Sequence, residues 1–326
     1  MNSGTSTCAW LIILGVCFFH PARTSKILAV FTHVGKSHFD VVEPYFEELA
    51  ARGHQILVIS HVPRKRPIPN YKDIDLRGTH SVNKTVDIIS FSDMMKMNQI
   101  SSTLALSAWG IEACEKTLEL PDVQLILNSD EKFDLLIAEM FNTDCFLAFA
   151  HKFKIPIIGF STCVFMPWTP GRVGNPDNPA YIPTQFVTSS DKMNFVERFI
   201  NTFWNIFHKL NYPLLMDAPA HRIAKRHFGA SLPALSDLAR NTSLIFVNNH
   251  FSLNRPRPLV PGVIEVAGIH IKPPKPLLKV SSRINRETIF PARLNVITNF
   301  RYSFYLNMWF RVSRGLRFCA AQILES

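Results

Sequence analysis

Between Ser25 and Ser60 the hydrophobic period changes twice. Lys26–Thr32 is a short apolar run with a central Val and Phe, which predicts a strand buried on both faces. His33–His38 is a polar turn containing a glycine. Val41, Val42, Tyr45, Phe46, Leu49 and Ala50 then recur at helical spacing and set an apolar stripe on one face. Gly53 stands where a helix takes a left-handed C′ residue, and Gln55–Ser60 is a second apolar strand. Together these make one βαβ unit, closed by a right-handed crossover. Pro44 lies inside the helical stretch and predicts a helix that starts late or kinks there.

The same alternation continues downstream. Val86–Phe91 reads as a third strand, Phe133–Glu139 as a fourth and Ile155–Phe160 as a fifth. Between them lie a long helix over Ile100–Leu120 and a Phe-rich helix from about Thr143 to Phe153. Leu244–Val247 and Val263–Ala267 supply a sixth and a seventh strand. Strands alternating with helices predict an α/β fold with a Rossmann-like, doubly wound parallel sheet. Val62–Pro69 is a basic, proline-rich loop. Thr162–Pro183, with five prolines, is a second, and its Phe165, Met166, Trp168 and Tyr181 suit either an apolar ligand surface or a rigid loop. Val196, Phe199, Ile200, Phe203, Ile206, Phe207 and Leu210 form a strong helical stripe. Core packing and membrane-surface contact both fit it, and the stripe is assigned to the core.

Composition changes the picture in three places. The formal charge of +10 is compatible with nucleic acid, but half of it sits after Ser281, where seven Arg face two Glu. No stretch before that pairs a basic stripe with stacking aromatics, so no nucleic-acid partner is expected. Residues 1–25 have the form of a secretory signal: the apolar core Ala9–Phe19 is too short to span a bilayer, and processing falls between Ala22 and Ser25. Sequons at Asn83 and Asn241 fit a glycoprotein of the secretory pathway, in the lumen of the endoplasmic reticulum. Beyond the signal, Cys114, Cys145, Cys163 and Cys319 form no C-x-x-C pair, so neither a zinc nor a redox motif is read. A disulfide is compatible with this set, but its pairing is not legible.

The candidate chemistry starts at His38, just past the first strand. Ligands of open α/β sheets bind beyond the carboxyl ends of the strands, and a neutral imidazole there can take a proton from a bound hydroxyl. A helix-start histidine facing water is the plainer alternative. Val34-Gly35-Lys36-Ser37 imitates the end of a phosphate loop, but Val30 occupies the position where that motif needs its first glycine. His33 and His38 lack helical metal-ligand spacing, so no metal is expected.

Four segments together carry a resemblance: KILAVFTHVGKSHFDVVEPYFEELAARGHQILVIS, FDLLIAEMFNTDCFLAFAHKFKIPIIGFS, GNPDNPAYIP and SLIFVNNHFSLNRPRPLVPGVIEVAGIHI. In this order they resemble the acceptor-binding half of the UDP-glycosyltransferases, in the insect branch, from about Lys26 to Leu277. The resemblance implies the N-terminal domain of a GT-B glycosyltransferase, spanning residues 26–280, which takes a small lipophilic acceptor. A second domain of that fold takes the UDP-sugar, a co-substrate, and no further cofactor is implied. It further implies an inverting, metal-free hexosyl transfer, of the kind used in detoxification, with His38 as general base. A carboxylate steadies the imidazolium, as Asp steadies His in a hydrolase triad. Asp144 fits by residue type and Glu139 by position, and both stay open; an N-cap role is the plainer alternative for Asp144. Phe165, Met166 and Trp168 are the acceptor-contact candidates. After Leu277 the sequence departs from the family: Val280–Ser326 carries no donor-domain signature and no apolar run of about twenty residues. The expectation is an acceptor domain followed, over 281–326, by a divergent basic tail that contacts membrane surfaces. On that reading the isolated chain is inactive as a transferase. The alternative is a non-catalytic lipophile-binding or regulatory form that pairs with full-length relatives.

Overall fold

The computed structural model describes residues 24–80 and 97–271, apart from Thr188 and Arg255. The signal core, the strand expected over Val86–Phe91, the sequon at Asn83 and the 281–326 tail lie outside the described residues. The strands are β1 (Lys26–Phe31), β2 (Gln55–Ser60), β3 (Tyr71–Asp75), β4 (Leu135–Glu139), β5 (Ile157–Ser161), β6 (Thr242–Val247) and β7 (Val263–Glu265). They form one parallel sheet in the order β3-β2-β1-β4-β5-β6-β7. The order reverses between β1 and β4, which makes the sheet doubly wound, as the alternation of periods predicts.

The period of two in β1 divides the core. Ile27, Ala29 and Phe31 face a cluster with Phe39, Val42 and Phe46 of helix α1 (Lys36–Ala51), while Leu28 and Val30 face the opposite cluster with Leu57, Leu136 and Phe149. A strand covered on both faces has no room for polar side chains, which is why its sequence is a continuous apolar run. α1 starts at Lys36, eight residues ahead of Pro44, so the late start expected from that proline does not occur. Pro44 instead sits inside the helix, where it cannot donate to the carbonyl of Asp40. The helix ends as expected: Gly53, at φ +93°, donates to Ala50 O, and His54 donates to Leu49 O, the two bonds of a Schellman closure.

Helix α2 (Gln99–Glu119) is capped by Asn98, whose side chain accepts from Ser101 N, and α3 (Pro121–Leu127) follows with proline at its first position. A 3-10 turn at Cys145–Leu147 leads into α4 (Ala148–Phe153). A disulfide joins Cys114 of α2 to Cys145. Thr162–Pro183 is a loop, as expected, with one 3-10 turn at Pro170–Arg172. Helix α5 (Phe195–Tyr212) runs through a π-helical turn at Pro213–Asp217 into α6 (Ala218–Phe228), and α7 (Leu235–Arg240) and the short α8 (Phe251–Asn254) are the last helices of the described residues. Among the described residues no helix is long and apolar enough to cross a membrane.

One strand was not anticipated and one expectation is corrected. β3 falls where the sequence shows only Tyr71 and Ile74 among Lys72, Asp73 and Asp75; among the described residues it is the edge of the sheet, where charged side chains are tolerated. The stripe on α5 is not core. Phe195, Val196, Phe199, Ile200, Phe203, Ile206 and Leu210 are exposed, and the helix buries Asn201, Asn205, His208 and Tyr212 instead.

Candidate active site

The reversal of strand order opens a crevice between the carboxyl ends of β1 and β4. β1 gives way to the turn His33–Gly35, and the third residue of α1, His38, donates its backbone N–H to Gly35 O at 2.9 Å. β4 ends at Glu139. The two side chains meet there: His38 Nδ1 lies 2.6 Å from Glu139 Oε1, and both are buried. A carboxylate can only accept, so the shared proton sits on Nδ1 and the Nε2 lone pair is left available. Thr162, the first residue after β5, closes a triangle. Its hydroxyl donates to Glu139 Oε1 at 2.7 Å, and its oxygen lies 2.7 Å from His38 Nδ1.

The imidazole is also held from its faces. The His33 ring lies 4.1 Å from it, and Phe141 packs edge-on to both histidines at 4.9 and 4.6 Å. Burial, then the neighbouring His38 and His61, hold His33 well below the ordinary histidine range, so it is neutral. Gly35 makes this stack sterically feasible: a Cβ there would lie 3.0 Å from the His33 ring. Cys163 lies close by, but burial and the Glu139 carboxylate push its thiol up to about 12, which removes it as a nucleophile.

Asp144 is elsewhere. Its Oδ2 accepts from Arg172 and, at 2.8 Å, from the Tyr212 hydroxyl, which also accepts from Arg172 at 3.1 Å. Of the two carboxylates in question, Glu139 touches His38 and Asp144 does not. The N-cap alternative is not realised either, since the Asp144 side chain makes no capping bond. Met166 and Trp168 pack with Leu106, Phe141, Phe186, Tyr212 and Met216; the Trp168 ring stacks on Tyr212 at 4.7 Å and its indole N–H donates to Phe141 O. Phe165 packs into the larger core. Met166 and Trp168 therefore back the crevice through Phe141, whereas Phe165 belongs to the core beneath it. A cavity of about 460 Å³ lies beside the Asp144–Arg172–Tyr212 cluster. A larger one, about 660 Å³, lies at the amino ends of β1–β3, away from the ligand end of such a sheet. Asn241 is exposed at the end of α7, accessible as an acceptor.

Thr162, Phe141 and His33 were not singled out as functional in the sequence. Position was the signal for Thr162, because a hydroxyl directly after β5 stands level with the residues that follow β1 and β4. Nothing in the sequence pointed to Arg172 as the partner of Asp144.

Comparison with known proteins places the chain in a family. Residues 25–285 match the model of a family described as "UDP-glucoronosyl and UDP-glucosyl transferase". UDP-glucosyltransferase 2 of Dactylopius coccus is 36% identical over 263 residues, 78% of this chain and 49% of the relative. The chain belongs to this UDP-glycosyltransferase family. The human 2-hydroxyacylsphingosine 1-beta-galactosyltransferase is 33% identical over 263 residues, 78% of this chain and 47% of that protein. Among solved structures, the calicheamicin glycosyltransferase CalG4 aligns over 69% of this chain and 48% of its own, at 14% identity and a TM-score of 0.39. The chain spans about half the length of the UDP-glycosyltransferases it matches in sequence.

Proposed function

We propose that this chain provides the acceptor-binding, proton-abstracting part of a glycosyl transfer from a UDP-sugar to a hydroxyl of a small lipophilic molecule. The His38–Glu139–Thr162 triangle at the strand-order reversal carries the reading. In this scheme His38 Nε2 takes the acceptor proton as the acceptor oxygen attacks the anomeric carbon. The bond from that carbon to the UDP oxygen breaks, and UDP leaves with its electron pair. Glu139 holds the proton on Nδ1 before the step and stabilises the imidazolium after it; Thr162 fixes the carboxylate. The UDP-sugar itself would be held by the further domain that the family's two-domain architecture implies.

The lipophilic acceptor class is supported by the sphingosine derivative in the human relative's name and by the aromatic surroundings of His38. Phe165, Met166 and Trp168 enter this proposal as the packing that sets the shape of the crevice. A lumenal setting in the secretory pathway is supported by the Cys114–Cys145 disulfide, which an oxidising compartment allows, and by the exposed Asn241.

A chimera tests the assignment: residues 1–277 joined to the remaining half of UDP-glucosyltransferase 2, assayed for glucoside formation. Glu139→Gln is expected to lower kcat by on the order of a hundredfold or more, through loss of the correct tautomer. Asp144→Asn, which sits in the Arg172 cluster, is expected to lower the melting temperature while kcat per folded molecule holds. The opposite ranking would transfer the orienting role to Asp144.

A further inference from the structure

The cavity of about 460 Å³ is walled by the loop Thr162–Pro183, by α5 with its π-helical turn and by α7. It shares no lining residue with the His38–Glu139–Thr162 triangle, and its size falls within the roughly 300–1,000 Å³ of small-molecule sites. Buried polar atoms are almost always paired in folded proteins. Three at this wall, Asp144 Oδ1, Arg172 Nη1 and Asp217 Oδ1, are buried and find no hydrogen-bond partner among the described residues. Asp144 and Arg172 are themselves only 3% and 8% exposed. Their other atoms are committed: Asp144 Oδ2 accepts from Arg172 Nη2 and from the Tyr212 hydroxyl, so the unmet oxygen and nitrogen belong to groups already fixed in place. Burial, then the Asp144 carboxylate, push Asp217 up to about 6, as befits a carboxylate short of donors.

We propose that this cavity binds a sugar. The balance of charge and hydrogen bonding selects that chemistry. The cations at the wall are matched, Arg172 by Asp144, Lys209 by Asp177 at 2.7 Å and Arg240 by Asp237. Asp217 is then left over, so an anion such as phosphate meets a negative balance. A quaternary ammonium answers Asp217 but offers nothing to the Arg172 donor. A hydroxyl serves both, since it donates to a carboxylate and accepts from a guanidinium. Several hydroxyls on one small ring make a sugar, and Trp168 and Tyr212 add aromatic surface for its C–H face. Trp168 also divides this site from the acceptor crevice: its indole N–H donates to Phe141 O, on the side of His38, while the residue lines the cavity. The sugar bound here is therefore not the one transferred, and the site does not depend on the role of His38. Two sources supply such a ligand: a free sugar or glycoside, and a glycan on Asn241, the exposed sequon residue directly after Arg240.

Saturation-transfer difference NMR on the full chain, made without glycans by Asn83→Gln and Asn241→Gln, tests this with N-acetylglucosamine and glucose as probes. Saturable transfer to at least one of them is expected, and neither inorganic phosphate nor tetramethylammonium is expected to displace it. Asp217→Ala and Gly171→Trp are each expected to weaken binding by about tenfold or more. Gly171 lines the cavity and a Cβ there meets nothing within 4 Å, so Gly171→Trp fills the space without disturbing the fold. The chain carrying its Asn241 glycan separates the sources. Affinity for the free sugar that rises on enzymatic deglycosylation assigns the cavity to the glycan, and unchanged affinity assigns it to a free sugar. No saturable transfer to either probe would overturn the proposal. So would displacement by phosphate or tetramethylammonium, or undiminished binding in the Gly171→Trp variant.

Discussion

At the residue scale, His38 was legible because it stands just past the first strand of a strong βαβ signal, where such sheets bind ligands. Glu139 was legible as the last residue of β4, yet Asp144 competed with it. A sequence cannot say that Arg172, 28 residues further on, folds back and engages Asp144. Thr162 was hidden because its role depends on β5 lying beside β4, which is a tertiary fact. A buried histidine away from the crevice contributes to the acid sensitivity of the fold. Burial lowers His208 to about 4, against an unfolded value near 6.5. The unfolded chain therefore binds this proton first, and stability is lost as pH falls from 6.5 toward 4. His208→Gln keeps a group able to bond Thr103 and does not titrate. Its drop in melting temperature from about pH 7 to about pH 5 is expected to be smaller than that of the parent; an equal drop would free His208 of this role.

At the element scale, period and length located the buried strands, because a strand covered on both faces must be apolar throughout. The same logic failed for β3 and α5, where the apolar pattern does not report what is buried. At β3 the edge position permits charge; at α5 specific hydrogen bonds, rather than hydrophobicity, decide which face turns inward. The Cys114–Cys145 bridge was also illegible, since it forms only once α2 packs against the turn after β4. It closes a loop with a sequence separation of 31, for which chain entropy gives about 3–4 kcal/mol. Cys114→Ala is expected to lose roughly that much in urea unfolding, with a larger m-value because the unfolded chain is no longer cross-linked. A loss below about 1 kcal/mol would mean that packing around Cys145 holds the turn without the bond.

At the scale of the whole molecule, one parallel sheet sets His38 and Glu139 on adjacent strand ends, and the loop after β5 packs Met166 and Trp168 behind Phe141. The chain belongs to the UDP-glycosyltransferase family and spans about half the length of the relatives it matches. The central claim is that His38 is the group that takes the acceptor proton. Its most direct test is kcat for glucoside formation by the chimera of residues 1–277 with the remaining half of UDP-glucosyltransferase 2, with and without His38→Ala. The account predicts a loss of about a hundredfold to ten-thousandfold in kcat per folded molecule, with the KM for the UDP-sugar unchanged. Turnover by the His38→Ala chimera within a fewfold of the parent would contradict it.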